Sequence, residues 1–147
     1  MRITALLFFL SLIVSADDFP FDRFKGQKFP KFTRDEIKSL LDLSKDQSMT
    51  PNCPANLLSS YHLRECPRGT VALWVIEGNR VGDYPSLNPI LIDVRDRIAS
   101  DFPSSDPLKT QTKTQRELLG IARAKYRTWW AKGAKGDPLK GSNLAWY

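Results

Sequence analysis

The sequence predicts a small, helix-rich α+β domain of about four helices, with one short β-hairpin, an extended N-terminal arm and one disulfide. Apolar residues recur at helical spacing in several separate segments, whereas only residues 70–77 are rich in β-branched and aromatic side chains. A chain of 147 residues is long enough for one domain with one modest core. Its two cysteines, Cys53 and Cys66, are predicted to form one bridge with each other in an oxidising compartment, and pairing with another chain is the alternative.

Residues 1–16 have the pattern of a secretion signal. Arg2 supplies a positive start, and an apolar run over 5–14 follows it. Val14 and Ala16 are small residues at the positions that signal peptidase reads before a cut. The apolar run is about half of the roughly 20 residues that a membrane-spanning helix needs. This favours a cleaved signal, and hence a secreted protein, over an uncleaved anchor or a buried strand of a cytosolic protein.

An arm rich in phenylalanine and proline follows over residues 17–32. Proline disfavours both a helix and a central strand here. We predict that the arm is extended and lays its phenyl rings on the domain surface, because each exposed ring forfeits about 1.5–3 kcal/mol of burial. An exposed recognition peptide is the alternative.

The globular domain is predicted over residues 33–132. Its first helix spans 33–46, with Thr33 as the N-cap and Glu36 placed to close a capping box. A second helix is predicted over 53–64, where a proline suits the first helical turn.

The clearest predicted strand lies at residues 70–77, whose sequence TVALWVIE is nearly continuous in apolar side chains. The dipeptide Gly78-Asn79 is a hairpin-turn signal. Residues 80–84 are therefore predicted to return as the second strand, which completes the hairpin.

The remaining elements are less regular. Residues 88–98 combine a cap, a first-turn proline and apolar residues at helical spacing, which predicts a helix, with a strand at 89–95 as the alternative. A polar linker near 101–114 precedes the last helix, which ends before a Gly- and Lys-rich C-terminal tail over 133–147.

Basic residues concentrate in the last part of the chain. Residues 17–106 carry 12 basic and 14 acidic side chains, whereas residues 107–147 carry nine basic and two acidic ones. Such a block attracts anionic partners, although it also serves as a solvated surface that keeps a protein soluble.

The strongest candidate for binding is the predicted helix at 115–132. At about 100° per residue its arginines share one arc, beside an apolar arc that ends in two tryptophans. The predicted binding residues are Arg116, Arg123, Arg127, Lys113, Trp129 and Trp130. The helix could lie on a phospholipid surface, bind a sulfated glycan or contact a protein partner. Alternatively, the tryptophans pack into the core and leave the arginines in water. Nucleic acid ranks below these ligands for a secreted protein.

Catalysis has little support in the sequence. His62 is the single histidine, and no nucleophile-elbow pattern is present. The sequence predicts no metal site and no cofactor, because one histidine and two bridged cysteines cannot form an ordinary zinc site. A secreted, non-enzymatic binding protein is the leading interpretation. The alternatives are a small secreted hydrolase with a site near His62 and a structural or assembly component of an extracellular matrix.

Overall fold

The predicted class is confirmed by the structure, which is a computed structural model. It describes residues 29, 31–51, 53, 65–83, 89–98 and 111–146. Within these ranges the helices are α1 (Arg34–Leu43), α2 (Arg68–Val81), α3 (Val94–Ile98) and α4 (Gln115–Ala131). The strands are β1 (Met49–Thr50), β2 (Cys66–Pro67), β3 (Leu91–Asp93) and β4 (Leu144–Trp146). They form two antiparallel pairs, β1 with β2 and β3 with β4, so the domain is α+β.

Helix α1 forms where the capping signal predicts it. The backbone N–H of Thr33 donates to Glu36 Oε2 at 2.6 Å, and the Thr33 hydroxyl accepts from the Glu36 backbone at 3.3 Å. Ile37, Leu40 and Leu41 are buried on the inner face of the helix. The capping box and the apolar stripe together therefore place α1 on the core.

Helix α2 replaces the predicted strand at 70–77, so that prediction is wrong. The helix spans Arg68–Val81, and every residue from Gly69 to Gly78 is buried. A helix that is apolar on all sides has no 3.6-residue period, and its sequence reads like that of a core strand. The hairpin predicted at 70–84 is consequently absent from the described part of this segment.

The dipeptide Gly78-Asn79 lies inside α2 and holds the arm instead of turning the chain. A Cβ atom on Gly78 would lie 2.5 Å from Cε2 and 2.7 Å from Cε1 of Phe29, so the glycine lets that ring pack on the helix backbone. The amide oxygen of Asn79 accepts from the Phe32 backbone N–H at 2.7 Å. Phe29 is 3% exposed. The end of the predicted arm therefore lies on the domain, and the remainder of it falls outside the described residues.

The segment predicted as a helix over 88–98 divides into strand β3 and the short helix α3. The alternative strand prediction at 89–95 is therefore correct for its central three residues. The partner strand β4 comes from the segment predicted as a tail, 133–147. Leu139 and Leu144 of that segment are buried in the core, so it packs as part of the domain.

The free edge of β3 is covered by two glutamine side chains. Gln115 accepts from the Leu91 N–H at 3.3 Å and donates to the Leu91 carbonyl at 2.9 Å. Gln111 makes the same pair of bonds to Asp93, at 2.8 and 3.3 Å. Each amide thus imitates the backbone of a neighbouring strand, which protects an edge that could otherwise pair with another chain.

The predicted disulfide is present. Cys53 and Cys66 are bridged at 2.09 Å, and β2, which begins at Cys66, pairs with β1. The signal peptide predicted at 1–16 and the helix predicted at 53–64, except for Cys53, lie outside the described residues. Among the helices described, none is both long and apolar enough to cross a membrane.

Candidate anion-binding face

Helix α4 confirms the predicted helix almost to the residue. Thr114 is its N-cap, and a second capping box joins Thr114 to Glu117 through bonds of 2.7 and 3.3 Å. Lys132, the last residue of the predicted helix, is the C-cap. The buried residues of α4 form a stripe along one side of the helix: Leu118, Leu119, Ala122 and Tyr126. This stripe fixes how the helix is rotated against the core.

The three arginines of the arginine row, Arg116, Arg123 and Arg127, lie about 100° around α4 from this buried stripe. Arg116 and Arg127 are exposed, and Arg123 is half-buried with an Nε atom that has no hydrogen-bond partner. None of the three forms an ion pair within the described ranges. The row extends about 16 Å along the helix, from the rise of 1.5 Å per residue.

Helix α1 lies antiparallel beside the arginine row. Arg116, at the start of α4, donates from Nε to the carbonyl of Gln47, just beyond the end of α1, at 3.2 Å. At the other end, the guanidinium of Arg34 lies 4.8 Å from the ring centroid of Trp130. The start of each helix therefore meets the end of the other, and a seam runs between them.

The side of α1 that borders this seam is also cationic. Arg34 lies on it, and Lys45 is an exposed residue just beyond the end of the helix, two residues before Gln47. Asp35 and Asp42 lie about 80–100° further round, away from α4. Both walls of the seam therefore carry positive charge.

The tryptophans predicted for binding pack against the domain instead of projecting from it. Both are half-buried against the core. Trp129 donates from Nε1 to the Gly136 carbonyl at 3.0 Å and packs edge-on against Tyr126, with centroids 6.0 Å apart. Trp130 carries Arg34 on its ring face. Both rings therefore contribute to packing, and part of each remains exposed.

Lys113 lies apart from the arginine row in an ion pair. Its Nζ is 3.1 Å from Oδ2 of Asp93, and Arg95 holds the same carboxylate through two further bonds at 2.8 and 3.1 Å. Asp93 is 1% exposed. The hydrogen bonds from Arg95 lower the pKa of the Asp93 carboxyl well below its usual value, although burial opposes this shift. The sequence did not predict this ion pair, because Asp93 is 20 residues from Lys113 and no local pattern links them.

A second polar cluster, the tyrosine network, links α2, α4 and β4. The Tyr126 hydroxyl donates to Glu77 Oε2 at 2.8 Å and accepts from Trp146 Nε1 at 3.0 Å. Arg80 makes two bonds to the same Glu77 carboxylate. Burial, reinforced by the Glu77 charge, raises the pKa of Tyr126 well above its ordinary value. The hydroxyl therefore stays protonated and the network joins three elements.

The opposite flank of α4 is basic too, but its cations are lysines. Lys125 and Lys132 are exposed and lie about 160° around the helix from the arginine row. Ile121, 41% exposed, is on that side as well. Reversing the charge of this pair provides a control that changes net charge without touching the row.

The fold and this face define a small, disulfide-bonded α+β domain with a cationic helical surface. The chain belongs to a family described as a domain of unknown function, DUF4943, whose model matches residues 9–147. No curated protein and no solved structure matches it. Within the described ranges, no group of three or more histidine, cysteine or acidic side chains could hold a metal ion. His62, the centre of the alternative catalytic prediction, lies outside those ranges.

Proposed function

We propose that this protein is a secreted, non-enzymatic binding protein that engages an anionic ligand, a phospholipid surface or a sulfated glycan, through the arginine row. The observation that carries the proposal is the row itself. Three guanidinium groups lie on one side of a well-capped helix, and no described carboxylate neutralises them.

The chemistry of arginine supports an anionic ligand. A guanidinium group is always charged, and its planar fork donates paired hydrogen bonds to oxyanions. A guanidinium group is also less strongly hydrated than an ammonium group, so it loses less hydration free energy when it contacts a ligand. Because the row lies on a packed helix, binding would cost side-chain entropy but little backbone entropy.

Two observations support secretion. The Cys53–Cys66 disulfide is of a kind that persists in oxidising compartments. The N-terminal sequence has the charge, apolar run and small residues of a cleavable signal. A secreted protein meets sulfated glycans and the outer surfaces of membranes, which fits the proposed ligands.

Retention on immobilised heparin tests the proposal. We expect the protein to be retained at low salt and released by about 0.5 M salt, because screening shortens the reach of exposed charges to a few ångströms. Replacing Arg116 and Arg127 by glutamate should weaken binding at least about tenfold, because each basic residue near an anionic surface contributes roughly 1 kcal/mol to the binding free energy.

The matched control is the double variant Lys125→Glu and Lys132→Glu, which changes net charge by the same amount on the opposite flank. We expect it to bind nearly as well as the unmodified protein. Thermal unfolding monitored by circular dichroism verifies that both variants fold. Equal losses in the two variants would mean that net charge alone governs retention, and retention that survives salt would exclude an electrostatic site; either result contradicts the proposal.

A further inference from the structure

We infer that the ligand is a linear sulfated polysaccharide that lies along the seam between α1 and α4, an inference that rests on the proposed function. The contacts at the two ends of the seam, from Arg116 to the Gln47 carbonyl and from Arg34 to the Trp130 ring, hold the helices antiparallel, so the seam extends along α4 between them. An extended ligand can follow such a track over its whole length.

The two walls of the seam supply cations at intervals along this track. The arginine row spans about 16 Å on α4. Arg34, at the start of α1, lies near the end of the row, and Lys45, just beyond the end of α1, is two residues from Gln47, whose carbonyl accepts from Arg116 at the beginning of the row. A chain with anionic groups at regular intervals can therefore contact several of these cations at once, and contacts that are linked along one chain reinforce one another.

The polar nature of the seam argues against a bilayer as the ligand. A helix that lies in a membrane interface inserts its apolar face among the acyl chains. The apolar face of α4 is occupied by the domain core, and one face of the half-buried Trp130 ring carries the Arg34 guanidinium. Ile121 is exposed, but it lies on the flank away from the arginine row. Among the described residues, the exposed large apolar side chains are Met49, Val81 and Ile121, which lie on three different elements, so they do not give α4 an apolar face of the kind that inserts into a bilayer.

Arg123 marks the middle of the track. Its side chain is half-buried, and its Nε atom is out of contact with solvent and has no hydrogen-bond partner. A buried donor without a partner is costly, and a small reorientation toward a bound sulfate would satisfy it. Arg123 therefore places a third guanidinium group between the exposed groups of Arg116 and Arg127.

The test compares heparin fragments of increasing length with phosphatidylserine vesicles, using the full-length secreted protein. We expect affinity to rise with fragment length until the fragment spans the seam and then to level off. The vesicles should bind at least about tenfold more weakly than the longest fragment, because the protein offers no apolar face that would insert among their acyl chains. The variant Lys45→Glu, which changes the chain just beyond α1 and leaves α4 untouched, should weaken binding of the longest fragment about fivefold, whereas Lys125→Glu should leave it unchanged.

The outcomes separate this inference from the proposed function. Vesicle binding as tight as fragment binding, with the same dependence on Arg116 and Arg127, would overturn the polysaccharide inference and leave the proposed function standing. A Lys45→Glu variant that binds the longest fragment unchanged would remove α1 from the site and also overturn the inference. Absence of binding to both probes would overturn the proposed function itself.

Discussion

Replacing Gly78 by alanine tests how the N-terminal arm is attached to the domain. Gly78 lies in the interior of α2, where alanine is favoured over glycine by about 1 kcal/mol. The methyl group of alanine would collide with the ring of Phe29, whose nearest atoms already occupy its position. Displacing that ring loses about 1.5–3 kcal/mol of burial. We therefore expect a net destabilisation of about 0.5–2 kcal/mol.

The sign should reverse when the ring is removed. In a Phe29→Ala background the collision disappears, so Gly78→Ala should stabilise the protein by about 1 kcal/mol. Urea denaturation followed by circular dichroism measures all four members of this cycle. Gly120→Ala on α4 is the control, because nothing lies within 4 Å of its added methyl group, and it should stabilise both backgrounds equally. If Gly78→Ala had the same effect with and without Phe29, the packing of the arm on α2 would be refuted.

Three further predictions concern the polar clusters. Replacing Tyr126 by phenylalanine should lower the free energy of unfolding by about 2–3 kcal/mol, because the buried Glu77 carboxylate loses a hydrogen bond. The control Thr128→Val removes an exposed hydroxyl and should lower it by less than about 0.5 kcal/mol. Equal losses of stability in the two variants would contradict the role of the tyrosine network. Because folding lowers the pKa of Asp93, its carboxylate contributes full stabilisation above the unfolded pKa of 3.8, and this contribution is lost as the pH falls below that value. The difference in unfolding free energy between the protein and Asp93→Asn should therefore shrink in acid. A difference in urea midpoint that stays constant with pH would refute this. Replacing Gln111 and Gln115 together by alanine should expose the edge of β3 and promote association between copies of the protein, which analytical ultracentrifugation detects. A double variant that stays as monodisperse as the unmodified protein would show that the two glutamines are not needed to protect this edge.

The sequence predicted the elements whose signals are local. Helix α1 was predicted from a capping box and an apolar stripe of helical period, and α4 from its stripe and the glycines that follow it. The capping box of α4, between Thr114 and Glu117, was a local signal that the sequence analysis missed. Since a helix fixes the angular relation of its residues, the arginine row followed from α4 alone. The disulfide was predictable for a comparable reason, because two cysteines allow one pairing.

The parts that the sequence did not predict depend on tertiary contacts. Helix α2 is enclosed on all sides, so its apolar residues show no period that distinguishes it from a strand. Gly78 resembled a turn residue, although it serves to admit the ring of Phe29. Strand β4 has three residues, and it forms because β3, about fifty residues earlier, offers it an edge.

The same distinction holds for the candidate site. Lys113 was grouped with the arginines by its position in the sequence, but it is held by Asp93. Arg34 and Lys45 were not assigned to the site, because only the folded chain brings Arg34 to Trp130 and the segment after α1, which includes Lys45, to Arg116. One helix of the seam could thus be predicted, and its second wall required the structure.

Nuclear magnetic resonance of arginine side chains offers the most direct view of the proposed binding face. In a titration with a heparin fragment, the Nε–H resonances of Arg116, Arg123 and Arg127 should shift together and saturate with one dissociation constant. Arg80 and Arg95 are internal controls, because Glu77 and Asp93 already hold their guanidinium groups. Shifts of the same size in the control arginines, or an arginine row that does not respond while the fragment binds, would contradict the assignment of the ligand to this face.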